Sequence, residues 1–168
     1  MFPFGMYGRL RDLPHDRELA GTLGDMVIAW SDAENALITI FHKIANIPWE
    51  MAVAGYYRIP TFDARTRVIR AMIREWKTDV YNPNAIDHEI ENLNKLSRTR
   101  NGWVHGYWAQ AHGSCETNIF DYRQEQHSAK RCLPIKAADV RNHVEAVHQR
   151  TDQLWALVPF SGPPQVPS

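Results

Sequence analysis

A chain of 168 residues, 44% hydrophobic and 23% charged, fits one domain, and at this length a folded domain buries about 70% of its unfolded surface. Nineteen basic and nineteen acidic residues cancel, so any nucleic-acid surface must be a local patch, and this balance argues against a general DNA-coating protein. Cys115 and Cys132 are too few for a disulfide framework and lack CxxC spacing, which points to reduced thiols; no stretch approaches 18 apolar residues, and the expected location is cytoplasmic, with no membrane partner.

In chain order, the first dozen residues carry Pro3, Gly5 and Gly8 with the aromatic Phe2, Phe4 and Tyr7, and read as an arm that packs on something. Over 16–46, Leu19, Leu23, Met26, Val27, Trp30, Leu37, Ile40, Phe41 and Ile44 keep helical spacing, which predicts the longest helix. Gly21 and Gly24 weaken its start by about 1 kcal/mol each against Ala, so a late start or a bend is expected there. Pro48 suits the first position of a short helix over about 49–58, closed by Pro60. Thr61 or Asp63 caps the next helix, which reaches about position 76 and buries Val68, Ile69, Met72, Ile73 and Trp76. Arg67, Arg70 and Arg74 share one side of that helix. Such a stripe is either a solvated face or a set of forked donors for phosphate oxygens.

A turn at 81–84 leads into a helix through Ile86, Ile90, Leu93 and Leu96 to Arg100, with Gly102 and Gly106 marking where it frays or stops. Three short segments follow at 107–111, 117–123 and 130–135, separated by His112-Gly113-Ser114 and by 126–129, and read as a hairpin or three-stranded meander. A final helix over about 137–157 turns Val140, Val144, Val147, Leu154 and Leu157 inward. The expected fold is therefore mainly α: an antiparallel bundle of four to five helices, a single domain over 1–158, with a β insertion at about 107–135 and a disordered proline-rich tail at 159–168.

The densest chemistry lies in LSRTRNGWVHGYW, 96–108. Fourteen arginines and eight histidines in this length would give roughly 0.7 Arg–His pairs at a spacing of five by chance, so the pair needs its context. That context is Arg100-Asn101, three residues, His105, then Gly106-Tyr107, at the end of an amphipathic helix. It resembles the R-N-x-x-x-H signature of the HEPN superfamily of small helical-bundle proteins, and with Tyr107 the R-x4-H-x-Y form of HEPN toxins paired with nucleotidyltransferase antitoxins. The resemblance implies a metal-independent endoribonuclease with a toxin or phage-defence role, no cofactor, RNA as substrate, and a possible antitoxin or nucleotidyltransferase partner that modifies Tyr107.

The chemistry of RNA cleavage without metal assigns roles. His105 is the general base or acid, because histidine ordinarily titrates near 6.5, and Arg100 donates to the non-bridging phosphate oxygens. Five residues on a straight helix separate side chains by about 140°, so facing one cleft requires the helix to end between them, and Gly102 and Gly106 offer that freedom. One histidine per chain is one short of an acid and a base. A homodimer with its two-fold axis beside the motif supplies the second, and the implied products are a 2′,3′-cyclic phosphate and a 5′-hydroxyl.

Around this pair several readings stay open. Asn101 either orients phosphate or base, or caps a fraying helix end. Tyr107 either contacts RNA or packs as the first aromatic of a strand. Glu34 lies on the apolar stripe of the first helix, where a buried carboxylate is costly unless paired. Arg98 or Arg100 would serve as its cation and make Glu34 an anchor behind the site; at the rim it would be solvated. The remaining histidines, among them His143 and His148 five apart on the last helix, form no H-x3-H or HExxH face, so no metal is expected. The alternative to catalysis is an RNA- or nucleotide-binding or protein-interaction module on the same helices.

Overall fold

Proline and cap chemistry set most of the element boundaries in the computed structural model, which describes residues 7–9, 17–111, 117–120 and 132–159. The order is β1 (Tyr7–Arg9), α1 (Arg17–Ala45), α2 (Trp49–Arg58), α3 (Phe62–Glu75), α4 (Pro83–His105), β2 (Tyr107–Ala111), β3 (Thr117–Phe120), β4 (Cys132–Pro134) and α5 (Ala137–Leu157). The chain is thus mainly α, of helical-bundle class, with a small antiparallel sheet before the last helix. The loops expected at 112–114 and 126–129, most of the N-terminal arm, and all but the first residue of the tail lie outside the described residues.

Both glycines at the start of α1 are helical, and the helix begins at Arg17 without a delayed start. Each faces open space, so neither serves a close approach. Asn46 closes α1 with φ 50°, the left-handed conformation that ends a helix and that asparagine tolerates. His42 donates from Nδ1 to the Ile47 carbonyl at 2.6 Å across this turn. Pro48 then precedes α2, and Thr61 caps α3 by accepting the Ala64 N–H at 3.1 Å.

The Cα packing divides the chain into two compact units, with the division falling inside α1, α4 and α5. One unit comprises Met1–Val27 and Arg98–Val144. Its sheet has the order β1-β2-β3-β4, every pair antiparallel, with Trp108 opposite Ile119 and Tyr7 opposite Ala111. Its core gathers Leu19 and Met26 of α1, Ile119 of β3, Ile135, and Ala137 and Val140 of α5, with Leu23, Trp103, Trp108 and Val144 packed against them. The expected meander is present, and β1 adds a fourth strand to it from the segment read as an arm.

The other unit comprises Ile28–Ser97 and Glu145–Ser168. Leu37, Tyr56, Ile69, Ile86, Ile90, Leu93, Val147 and Leu154 are fully buried in it, at the spacings that make each helix two-faced. Trp30 packs tilted against Phe62, with ring centroids 4.8 Å apart. Polar ties join its helices: Arg150 to Glu89 at 3.3 Å, and the Trp155 indole N–H to Asp32 at 3.3 Å.

Candidate functional site

The motif occupies the last turn and a half of α4 and the start of β2. The helix does not break at Gly102; it continues through Trp103 and Val104 to His105, and only Gly106 bends before β2 begins at Tyr107. A glycine in a helix costs about 1 kcal/mol against Ala, and the helical hydrogen bonds and the packing of the partly buried Trp103 against the core outweigh it. The consequence is geometric. With Arg100 and His105 on one regular helix, their side chains leave the axis about 140° apart.

His105 is the last helical residue and is exposed, next to Val104, which is itself 45% exposed. Arg100 is half-buried, and its guanidinium donates from Nη1 to Oδ1 of Asn101 at 3.1 Å. Asn101 therefore holds the arginine with its side-chain oxygen, an orienting role. Trp103 packs, partly buried, against the core, and its carbonyl, one of the last four of α4, accepts the Trp108 indole N–H at 2.8 Å. Tyr107 is paired through its backbone with Phe120, and its side chain lies outside the described residues.

The structure gives Glu34 a cation other than those expected. Both its carboxylate oxygens accept from Nη1 of Arg65 at 3.1 Å, and Oε2 also accepts the Tyr56 hydroxyl at 2.5 Å. The carboxylate is thus filled by α2 and α3, so Arg98 and Arg100 are not the partners that stabilise it. Arg65 donates further from Nε to the Ile59 carbonyl at 2.9 Å and lies over the rings of Tyr56 and Tyr57. Burial, reinforced by the Glu34 charge and hydrogen bond, pushes the Tyr56 hydroxyl far above the usual phenol range. Arg65 escaped the sequence reading although one signal was there: it falls four residues before Ile69 and eight before Ile73, on the buried face of α3.

The three arginines of α3 are not equivalent. Arg70 makes a forked pair with Asp87, at 2.7 and 2.9 Å, and reaches Glu91 at 3.3 Å. Its hydrogen bond to Asp87 holds that carboxyl below its ordinary range, with Arg74 adding to the effect through its charge. Arg67 pairs with Asp63 one turn earlier and is exposed, as is Arg74. A phosphate on this stripe would compete with Asp87 and Glu91 for Arg70. Among the described residues, no three His, Cys, Asp or Glu side chains are placed to hold a metal ion, and no helix is long and apolar enough to cross a membrane. No family model, curated protein or solved structure matches the chain.

Proposed function

We propose that the chain is an HEPN-like, metal-independent endoribonuclease that acts as a homodimer, in a toxin or phage-defence role, with Arg100 and His105 as its catalytic pair. The observation that carries this is the placement of the motif: His105 stands exposed at the very end of α4, while one turn back Asn101 fixes the Arg100 guanidinium. In this mechanism one histidine takes the proton of the 2′-hydroxyl as that oxygen attacks the phosphorus. Arg100 donates to the non-bridging oxygens as their charge grows, and a second histidine gives a proton to the departing 5′-oxygen. The uninterrupted course of α4 through Gly102 to His105 sharpens the need for a second copy. One chain points its Arg100 and His105 about 140° apart, so a groove holding both groups is built from two motifs across a two-fold axis. Tyr107, immediately beyond, is the residue a partner nucleotidyltransferase would modify.

The test is RNA cleavage in EDTA by the wild type, Arg100→Ala and His105→Ala, all confirmed to be folded. Loss of roughly 100-fold or more in each variant is expected, the scale of acid–base and oxyanion contributions. Equal cleavage by all three would refute the assignment. A second reading has one observation in its favour. The same 140° separation suits a module that binds RNA, a nucleotide or a protein without cutting, and steeply salt-dependent RNA binding with no cleavage over long incubation would establish it.

A further inference from the structure

His143 sits on α5 within one turn of the fully buried Val140 and Val147 and is itself only 7% exposed. Its Nε2 is buried and has no hydrogen-bond partner among the described residues. The ring meets the Trp103 indole edge to face, with centroids 4.9 Å apart and planes at 69°. Trp103 in turn accepts the Trp108 indole N–H through its carbonyl. One imidazole, the last turn of α4 and the start of the sheet are therefore linked by direct contacts inside one packed unit.

A neutral imidazole leaves one ring nitrogen as an unpaired acceptor, which costs less to bury than a charge. An imidazolium carries a proton on both. Nε2–H would then be a buried donor without an acceptor, on a buried charge. The Trp103 ring attracts a cation but offers no lone pair to accept that proton. Burial accordingly lowers the His143 pKa from its ordinary 6.5. The charged groups on the elements around it do not offset this. On α1, Glu18 is paired with Arg141 of α5, and Asp25 is exposed. On α5, Asp139 accepts the Lys136 N–H, and Glu145 is exposed. On α4, Arg100 is held by Asn101 and His105 is exposed, while β2 and β3 carry no charged side chain.

We propose that His143 is a proton-operated latch on the motif end of α4. Neutral, it packs against Trp103 and keeps the last helical turn in place; protonated, the ring leaves the core and the Trp103 packing and the Trp108 hydrogen bond loosen with it. The sign follows from the burial. The unfolded chain binds this proton more readily than the folded one, so the packing is fully stabilised above about pH 6.5 and is lost as pH falls through the folded value. That the latch controls RNA cleavage rests on the function proposed above; that it controls packing does not.

The test follows the His143 ring and the Trp108 indole N–H of the full chain by NMR from about pH 8 to about pH 5. His143 is expected to titrate below its ordinary value, with the Trp108 signal moving at the same midpoint. In His143→Phe and in His143→Leu the Trp108 signal should stay still, and the wild-type titration needs neither variant to fold. Titration of His143 at or above its ordinary value, or a Trp108 signal that moves equally in wild type and variants, would overturn the latch. Cleavage separates the two ideas. The ratio of rates at about pH 7.5 and about pH 5.5 should be several-fold larger in wild type than in His143→Phe. Equal ratios overturn the control of the motif, whereas absence of cleavage at every pH, with the NMR result intact, supports the latch and refutes the ribonuclease.

Discussion

Removing the Glu34 carboxylate is the sharpest perturbation of the folded chain. In Glu34→Ala the Tyr56 hydroxyl, on a residue with 0% exposure, loses its acceptor, which costs about 1–3 kcal/mol. The Arg65 side chain, 14% exposed, loses its counter-charge. Breaking a buried pair from one side costs about 3–5 kcal/mol in total. Arg65 keeps its bond to the Ile59 carbonyl and its place over two tyrosine rings, so the lower half of that range is expected, about 3–4 kcal/mol. Tyr56→Phe, which removes one hydrogen bond to a charged group, should cost about 1.5–3 kcal/mol. Urea unfolding at neutral pH, followed by tryptophan fluorescence, reads both. A loss below about 1 kcal/mol in Glu34→Ala at an unchanged m-value would mean the carboxylate is solvated, as in an ordinary surface pair, and would refute the reasoning.

Asp87→Asn removes the forked partner of Arg70 and should lower stability at neutral pH by about 1–2 kcal/mol. Because Arg70 holds the folded-state pKa of Asp87 below its ordinary 3.8, that contribution is present above 3.8 and lost as pH falls through the folded value. Wild type and variant should therefore converge in stability in strong acid, and a constant gap across the pH series would contradict the pairing. Asn101→Ala removes the amide oxygen that the Arg100 guanidinium donates to and should reduce RNA cleavage by roughly tenfold while leaving the melting temperature within a few degrees; unchanged cleavage would remove Asn101 from the site.

Elements bounded by local chemistry were legible in the sequence. α2 spans the residues expected between Pro48 and Pro60, and the valines of α5 place that helix. Two misjudgements share a cause. Gly102 suggests a stop by its intrinsic cost, but Trp103 packs its partly buried ring against the core and the helix runs on to His105. β1 carries no local strand signal, because its pairing with β2 joins Tyr7 to Ala111, over a hundred residues away. The site divides the same way. The motif is contiguous and visible, whereas the partners of Glu34 and Arg70 lie 31 and 17 residues off, and spacing could announce the need for a counter-charge without naming it. His143 and His148, five apart, form no metal-binding face, yet the place of His143 between Val140 and Val147 puts it on the buried face of α5.

The central claim is that two copies of the Arg100–His105 motif form one cleaving groove, and subunit mixing tests it most directly. Wild-type chain is mixed with increasing His105→Ala, allowed to exchange, and assayed for RNA cleavage in EDTA. If each groove needs both histidines, mixed dimers are inactive, and activity per wild-type chain falls with the wild-type fraction, to about a tenth at ninefold excess. Activity per wild-type chain that stays constant, or no cleavage by the wild type alone, would contradict the account.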